Sequence, residues 1–422
     1  MINYILFAYN VLDDVYRRGA YASVALSEVL PGLDERDKKQ VSRLVRGVLE
    51  HDYEFAYMIA KLCPKSPKAV VRVILKLGMY LVKYTRTMPD YAAVNETVEL
   101  AKAVKKDMAG MVNATLKHYV EVQEDLPQTG LDSLCVKANM PPWLVQKYFD
   151  QYGIEEGTKL VLDKYNHTHL RWNNKTYSRY QLRNYILDRG LPAVDTQHGY
   201  LVGATEPFAE LIAAGKVTVQ ALDSVYICRA LMESGISGKI LDLCAAPGGK
   251  SVYLAEHNPD AVITACDVHP HRVQLIEAYK NRMGVSNLET MVHDGTQRVA
   301  EWERQFDAVL VDAPCSGLGV VGANPDIVLN RTEADLAALP KLQSKLLAVG
   351  ASYVKQYGVL VYSTCTNLRE ENTDVVQAFL LSNPQFALES MSQLPDNDGM
   401  LQFMPDAKGN EGFFVARMRR KI

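Results

Sequence analysis

KILDLCAAPGGKSVYLAEHN, Lys239 to Asn258, reads as a strand, a turn of small residues and a helix. The apolar run Lys239–Leu243 predicts the strand. The small residues that follow let backbone approach a ligand closely and aim the N-terminus of the next helix at it. Downstream, AVITACDV, LETMVHD, DAVLVDA and GVLVYST are further short β-branched runs separated by helical stretches. That alternation predicts an α/β fold with a parallel, Rossmann-like sheet from about Gly238 onward, and the final EGFFVARMRR predicts an added edge strand. Three successive strands finish in or beside an aspartate: Asp267, 19 residues past Gly248, then Asp294 and Asp312. Ligands of open α/β sheets bind outside the carboxyl ends of the strands, and an acid about 20 residues past a glycine turn commonly holds ribose hydroxyls. The set predicts a nucleoside-containing cofactor. Neither the GxGxxG of dehydrogenases nor a P-loop is present; Lys250 and Ser251 imitate the end of a P-loop, but Cys244 stands where its first glycine belongs.

Two of those strands run into a cysteine, in VDAPCSG (Cys315) and YSTCT (Cys365). Both thiols are expected on the ligand-facing edge. Asn367 and Glu370 have the N-cap and N3 spacing of a capping box, which would set Cys365 at a helix N-terminus, where the dipole favours the nucleophilic thiolate. Cys315, in a turn between Pro314 and Gly317, is available for a different step. Cys63, Cys135, Cys228 and Cys266 are read as inert buried thiols. Seven cysteines, an odd number with no CxxC or Cys/His ligand spacing, predict neither a disulfide framework nor a metal site.

The 422 residues suggest two or three domains at roughly 150 residues each. A hydrophobic fraction of 48% and a charged fraction of 23% are ordinary for soluble globular chains. No apolar run approaches the roughly 20 residues that span a bilayer, and MINYILFAYN lacks the basic leader and cleavage site of a signal peptide, so a cytoplasmic protein with no membrane contact is expected. Residues 1–125 carry apolar positions at helical spacing, as in Val94, Val98 and Ala101, and predict an all-helical domain. Its first 120 residues hold 18 Lys+Arg against 13 Asp+Glu within a chain of net charge −3, a bias that suits a polyanion. Prolines and polar residues over 126–141 read as a linker. Residues 142–228 read as a small α+β domain facing RNA, since seven Lys/Arg between Lys159 and Arg189 are interleaved with Trp172, Tyr177 and Tyr180. Residues 229–422 complete the chain as the Rossmann-like domain.

LDLCAAPGGKS, DVHPHRVQLI, HDGT, VDAPCSGLG, NPDI and YSTCT together resemble the ordered motifs of the RNA cytosine-C5 methyltransferases that use S-adenosylmethionine. YAAVNETVELAK and GMVNATLKHYV resemble the NusB-like head that precedes them in the RsmB (Sun/Fmu) family, whose substrate is 16S rRNA. The resemblance implies that Cys244, Ala245, Ala246, Pro247, Gly248, Gly249 and Lys250 cradle S-adenosylmethionine, with Asp267 at the ribose, Asp294 near the adenine, and Asp312 and Arg272 as further contacts. It implies Cys365 as nucleophile, Cys315 in product release, Asp312 and Lys250 at the cytosine, no metal, and a monomer. The same chemistry on tRNA, or an RNA-binding NusB-like protein without catalysis, are the alternatives. Departures are Gly322 and Ala323 where a basic pair is usual, VTVQALDS where a Gln-Asp pair is usual, and STCT for STCS.

Overall fold

The computed structural model describes residues 3–165, 168–233 and 235–421, in two compact units: Met1–Lys164 with Asn324–Asn330, and Tyr165–Ala323 with Arg331–Ile422. The first unit holds α1 (Asn3–Arg18), α2 (Ala22–Val29), α3 (Glu35–Glu50), α4 (Asp52–Leu62), α5 (Ala69–Tyr84), α6 (Asp90–Lys105), α7 (Ala109–Val122), α8 (Gly130–Ala138) and α9 (Pro142–Leu162). Helix α5 is its centre because VVRVILKLGMYLV is apolar nearly all round, and it packs against α1, α3, α4, α6 and α7. A Cβ on Gly47 of α3 would sit 2.2 Å from the Tyr80 ring, so only glycine lets α3 lie this close to α5. Two of the head's cations are spent inside the fold. Lys76 pairs with Asp52 and Lys83 with Glu54 at 3.0 Å, all with little exposure, so neither belongs to a polyanion-binding surface.

The stretch 126–141 contains a helix. Ser133, Cys135 and Ala138 give α8 a buried face. Asn139 ends it in the left-handed conformation at φ 49°, donating to Leu49 O (2.8 Å) and accepting from Tyr53 N–H (2.8 Å). Both α8 and α9 therefore cluster with the helical unit, and the division between units falls at Lys164/Tyr165, later in the chain than the sequence suggests. Asn324–Asn330, the NPDI stretch, joins this unit too: the Asp326 carboxylate accepts from Ala22 N–H (3.0 Å) and so caps α2.

The second unit begins with a four-stranded antiparallel sheet of order β2-β3-β1-β4, from β1 (Thr168–Trp172), β2 (Ala193–Thr196), β3 (Gly199–Val202) and β4 (Val217–Val219). With it go α10 (Arg179–Asp188), α11 (Ala209–Ala213) and α12 (Leu222–Met232). Part of the basic and aromatic interleaving is interior: Trp172 and Tyr177 pack on the small core, Tyr180 is exposed, and Arg171 is buried. Arg171 donates to both oxygens of Glu256 (2.6 and 3.2 Å) and to Gln220 Oε1 (2.6 Å).

The chain then alternates through β5 (Lys239–Asp242), α13 (Gly249–His257), β6 (Val262–Asp267), α14 (Pro270–Met283), β7 (Leu288–Val292), β8 (Phe306–Asp312), α15 (Glu333–Tyr353), β9 (Val354–Thr364), α16 (Thr373–Ser382), β10 (Phe386–Leu388), β11 (Met400–Gln402) and β12 (Phe414–Arg420). The strand order is β10-β12-β9-β8-β5-β6-β7, with β11 paired to β12. Strands β5 to β9 are parallel; β5, β6, β8 and β9 are largely buried, which is why they read as apolar runs, while β7 at the edge is mostly exposed. The expected edge strand is not at an edge. β12 lies antiparallel between β9 and β10, because FFVARM is apolar on both faces and needs cover on each side. Strand order reverses between β5 and β8, and the crevice of a doubly wound sheet opens at such a switch point.

Candidate active site

At that switch point β5 ends on Asp242 and turns over Leu243–Gly248 into α13. Ala245 N–H donates to Cys266 O (2.7 Å), tying the turn to the end of β6, and Gly248 N–H donates to Ala245 O (2.7 Å). Gly248 takes φ +104°, which favours glycine, and a Cβ there would lie a tight 3.1 Å from Ile276 of α14. Pro247 lies between Ala246 and Gly248 in this turn; Gly249 and Lys250 open α13. Asp267 ends β6 almost fully buried, accepting from His269 N–H (3.0 Å). Arg272 lies 3.3 Å from its other oxygen and donates to Ala246 O (3.3 Å), bridging acid and turn. Asp294 follows β7 by two residues and is exposed; the N–H (2.9 Å) and hydroxyl (2.8 Å) of Thr296 hold its carboxyl below the usual range. Asp312 ends β8, receiving Lys250 Nζ (2.7 Å) on one oxygen and Ser363 Oγ (2.7 Å) on the other. Burial by itself would lower the Lys250 amine, but the adjacent Asp312 carboxylate overrides it and holds it above its ordinary value.

The structure adds an acid that the sequence reading passed over. Asp242 is fully buried; one oxygen accepts from Ser251 Oγ (2.6 Å) and the other has no partner among the described residues. Burial pushes its pKa up to about 7. The signal was there in ILDL, an apolar run ending in aspartate like its three successors. Four carboxyl groups at one sheet edge, one with an orphaned acceptor, fit a ligand that brings positive charge and hydroxyl or ammonium donors.

Both thiols stand on this edge, Cys315 three residues past β8 and Cys365 one past β9. Their sulfurs are 3.2 Å apart, and Cys365 N–H points at Cys315 Sγ (3.3 Å). Both are partly accessible, whereas Cys63, Cys135, Cys228 and Cys266 are buried. Burial, then the neighbouring acids, raises the Cys244 thiol well above its ordinary value, so it stays protonated. The Cys365 loop is pinned from behind: Gly319 N–H donates to Cys365 O (3.0 Å) and Gly412 N–H to Gly319 O (2.9 Å).

The helix expected to open at Asn367 does not begin there. Arg369–Glu371 makes a 3-10 turn and α16 starts only at Thr373. Asn372, just before it, is committed elsewhere: it accepts from Thr364 Oγ1 (2.6 Å) and donates to Thr366 O (2.8 Å) and Gln402 Oε1 (2.7 Å). No helix N-terminus therefore stands at Cys365. Gly322, where a basic residue is usual, has its own reason: a Cβ there would lie 2.1 Å from Tyr165 O, leaving no room for a side chain.

Comparison with known proteins gives the family. Residues 231–419 match the family model described as 16S rRNA methyltransferase RsmB/F, and residues 4–121 match the NusB family. The chain is 32% identical to the probable ribosomal RNA small subunit methyltransferase B of Bacillus subtilis, over 98% of both chains. It is 33% identical to ribosomal RNA small subunit methyltransferase B of Salmonella arizonae, over 94% of this chain and 95% of that one. A methyltransferase homolog from Pyrococcus horikoshii superposes with a TM-score of 0.59 at 26% identity, over 70% of this chain and all of that one. The structure of PH0851 shares the fold over 98% of both chains with a TM-score of 0.84 at 21% identity. The acidic edge suits the sulfonium, ammonium and ribose of S-adenosylmethionine. From its motifs, its matched length and its crevice, the chain belongs to the RsmB/F family of S-adenosylmethionine-dependent methyltransferases, with a NusB-family domain ahead of the catalytic one.

Proposed function

We propose that this protein methylates carbon 5 of an unpaired cytosine in 16S rRNA through a covalent cysteine adduct. The observation that carries the chemistry is the thiol pair at 3.2 Å beside the Lys250–Asp312 ion pair. The relatives named as ribosomal RNA small subunit methyltransferases over nearly the full chain support the substrate.

Carbon 5 of cytosine is too weak a nucleophile to take a methyl group unaided, and covalent catalysis divides the step in two. Bound S-adenosylmethionine supplies an electrophilic methyl. Cys365 adds to carbon 6 and makes carbon 5 enamine-like. Asp312 accepts from the exocyclic amine, and from N3 once that atom takes up a proton, while Lys250 steadies the negative charge that develops there as the thiolate adds. Carbon 5 then takes the methyl group and S-adenosylhomocysteine is left. After transfer, Cys315 assists loss of the carbon 5 proton, so that the Cys365 sulfur leaves and the ring regains its aromaticity. Asp267 holds the ribose, Asp294 the adenine side, and Cys244–Lys250 the remainder of the cofactor. A base inside a helix cannot reach this crevice, so the cytosine is single-stranded or flipped out.

The two thiols have different tasks and fail differently. Cys365→Ala should neither methylate RNA nor link to it. Cys315→Ala, given RNA and S-adenosylmethionine, should accumulate a protein–RNA species that survives denaturing electrophoresis. The reverse pattern would exchange the roles of the two cysteines, and absence of 5-methylcytosine in 16S rRNA treated with the wild-type enzyme would refute the reading.

A further inference from the structure

Two thiols at 3.2 Å are chemically alike, yet the proposed reaction needs one as nucleophile and the other protonated until elimination. Their surroundings differ in what is bonded to each loop. Behind Cys315 stands Glu371, fully buried in the 3-10 turn that follows Cys365. Its Oε2 accepts from Ser316 N–H (2.9 Å) and from Gln343 Nε2 (2.8 Å) of α15, which also donates to Pro314 O (3.0 Å). Its Oε1 has no partner among the described residues. The carboxylate thus clamps the residues on both sides of Cys315 to the segment that carries Cys365. Ser316 Oγ to Thr366 Oγ1 (2.8 Å) adds a second tie between the same loops.

We infer that Glu371 is a positioning residue that tells the two thiols apart, holding the Cys315 loop against Cys365 with its carboxylate bonded to the residue that follows Cys315. The inference rests on the two-cysteine reading above. The other charged and titratable groups around Cys315 are few. Cys365 faces it directly, Tyr362 on β9 donates its hydroxyl to Glu371 O (2.6 Å), and Arg331 donates to Ser316 O (2.7 Å) and Cys315 O (3.3 Å). The Cys315 thiol is held well above its ordinary value by the hydrogen bond with Cys365, by burial, by the Cys365 charge and by Glu371. Of the groups named, Glu371 is the carboxyl whose contacts with the Cys315 loop do not run through the Cys365 sulfur.

The test isolates Cys315 in the full-length chain. In a Cys365→Ala background, iodoacetamide labelling of Cys315 is followed against pH by peptide mass spectrometry, with and without Glu371→Gln. Removing the charge should move the labelling profile to lower pH and speed labelling about tenfold at a fixed pH, the equivalent of about one pKa unit. A double variant, Glu371→Gln with Gln343→Glu, exchanges acid and amide across the same hydrogen bond and should label as slowly as the parent. An unchanged profile in a Glu371→Gln protein that melts like its parent overturns the inference. Fast labelling in the exchanged variant overturns it as well, including where the single variant does not fold. Labelling uses neither RNA nor methyl donor, so its outcome is separate from that of the adduct experiment.

Discussion

Arg171→Met should be among the most costly single changes in the second unit. Arg171 and Glu256 are 2% and 0% exposed at their side chains and are joined by two hydrogen bonds, with a third running from Arg171 to Gln220. Removing one partner of such a pair strands a buried charge and costs about 3–5 kcal/mol, although replacing both together is often nearly neutral. At about 2–4 °C per kcal/mol for a unit of this size, the melting temperature should fall by about 6–20 °C. The loss should depend on pH in a definite sense. Burial already raises the Glu256 carboxyl, against the pull of Arg171. Without the arginine it rises further, so the native variant holds a proton that the unfolded chain has released. Its stability should therefore drop as pH rises above the ordinary carboxylate range, and the gap to wild type should narrow in acid. Gln220 also donates to Gly249 O (3.1 Å), so cofactor affinity should weaken in the folded variant. Urea denaturation followed by circular dichroism at several pH values measures this. A loss below about 1 kcal/mol at neutral pH, or Arg171→Met with Glu256→Gln proving worse than Arg171→Met alone, would refute the reasoning.

Asp267→Ala should leave the fold intact and weaken S-adenosylmethionine about 10- to 150-fold, the worth of hydrogen bonds to a charged group at about 1.5–3 kcal/mol; unchanged affinity by calorimetry would remove its ribose role. The second unit should lose stability as pH falls from about 6.5 to about 4, because burial lowers His169, His198 and His257 to about 4 each. The unfolded chain binds these protons first, so the native state is penalised throughout that interval. His169 alone, which donates through Nδ1 to Gln220 O (2.8 Å) and accepts Thr196 Oγ1 at Nε2 (3.0 Å), should account for about 3 kcal/mol. A denaturation midpoint that does not move between pH 7 and pH 4.5 would contradict this.

Periodicity and strand-end chemistry are local properties, and the sequence carried them openly. The helices of the head, the five parallel strands, the small-residue turn and the aspartates 267, 294 and 312 all follow from patterns a few residues long. So does the placement of Cys315 and Cys365 beyond neighbouring strands. What depends on residues distant in the chain was not legible. The 3.2 Å approach of the two sulfurs spans 50 residues, between loops tied by Glu371, Gln343 and the hydrogen bonds of glycines 319 and 412. The interior place of β12 depends on β10, a strand of three residues too short to announce itself. Arg171 looked like an RNA contact because a basic residue beside aromatics has the same local pattern whether it faces water or Glu256, 85 residues away. The helix expected to open at Asn367 starts only at Thr373, after a 3-10 turn at Arg369–Glu371, a break in the chain path that residue spacing does not show. Local spacing determines which elements form and which groups stand at their ends; only the packing of the whole chain decides which buried polar groups satisfy one another, because burial charges its cost to every group left unpaired.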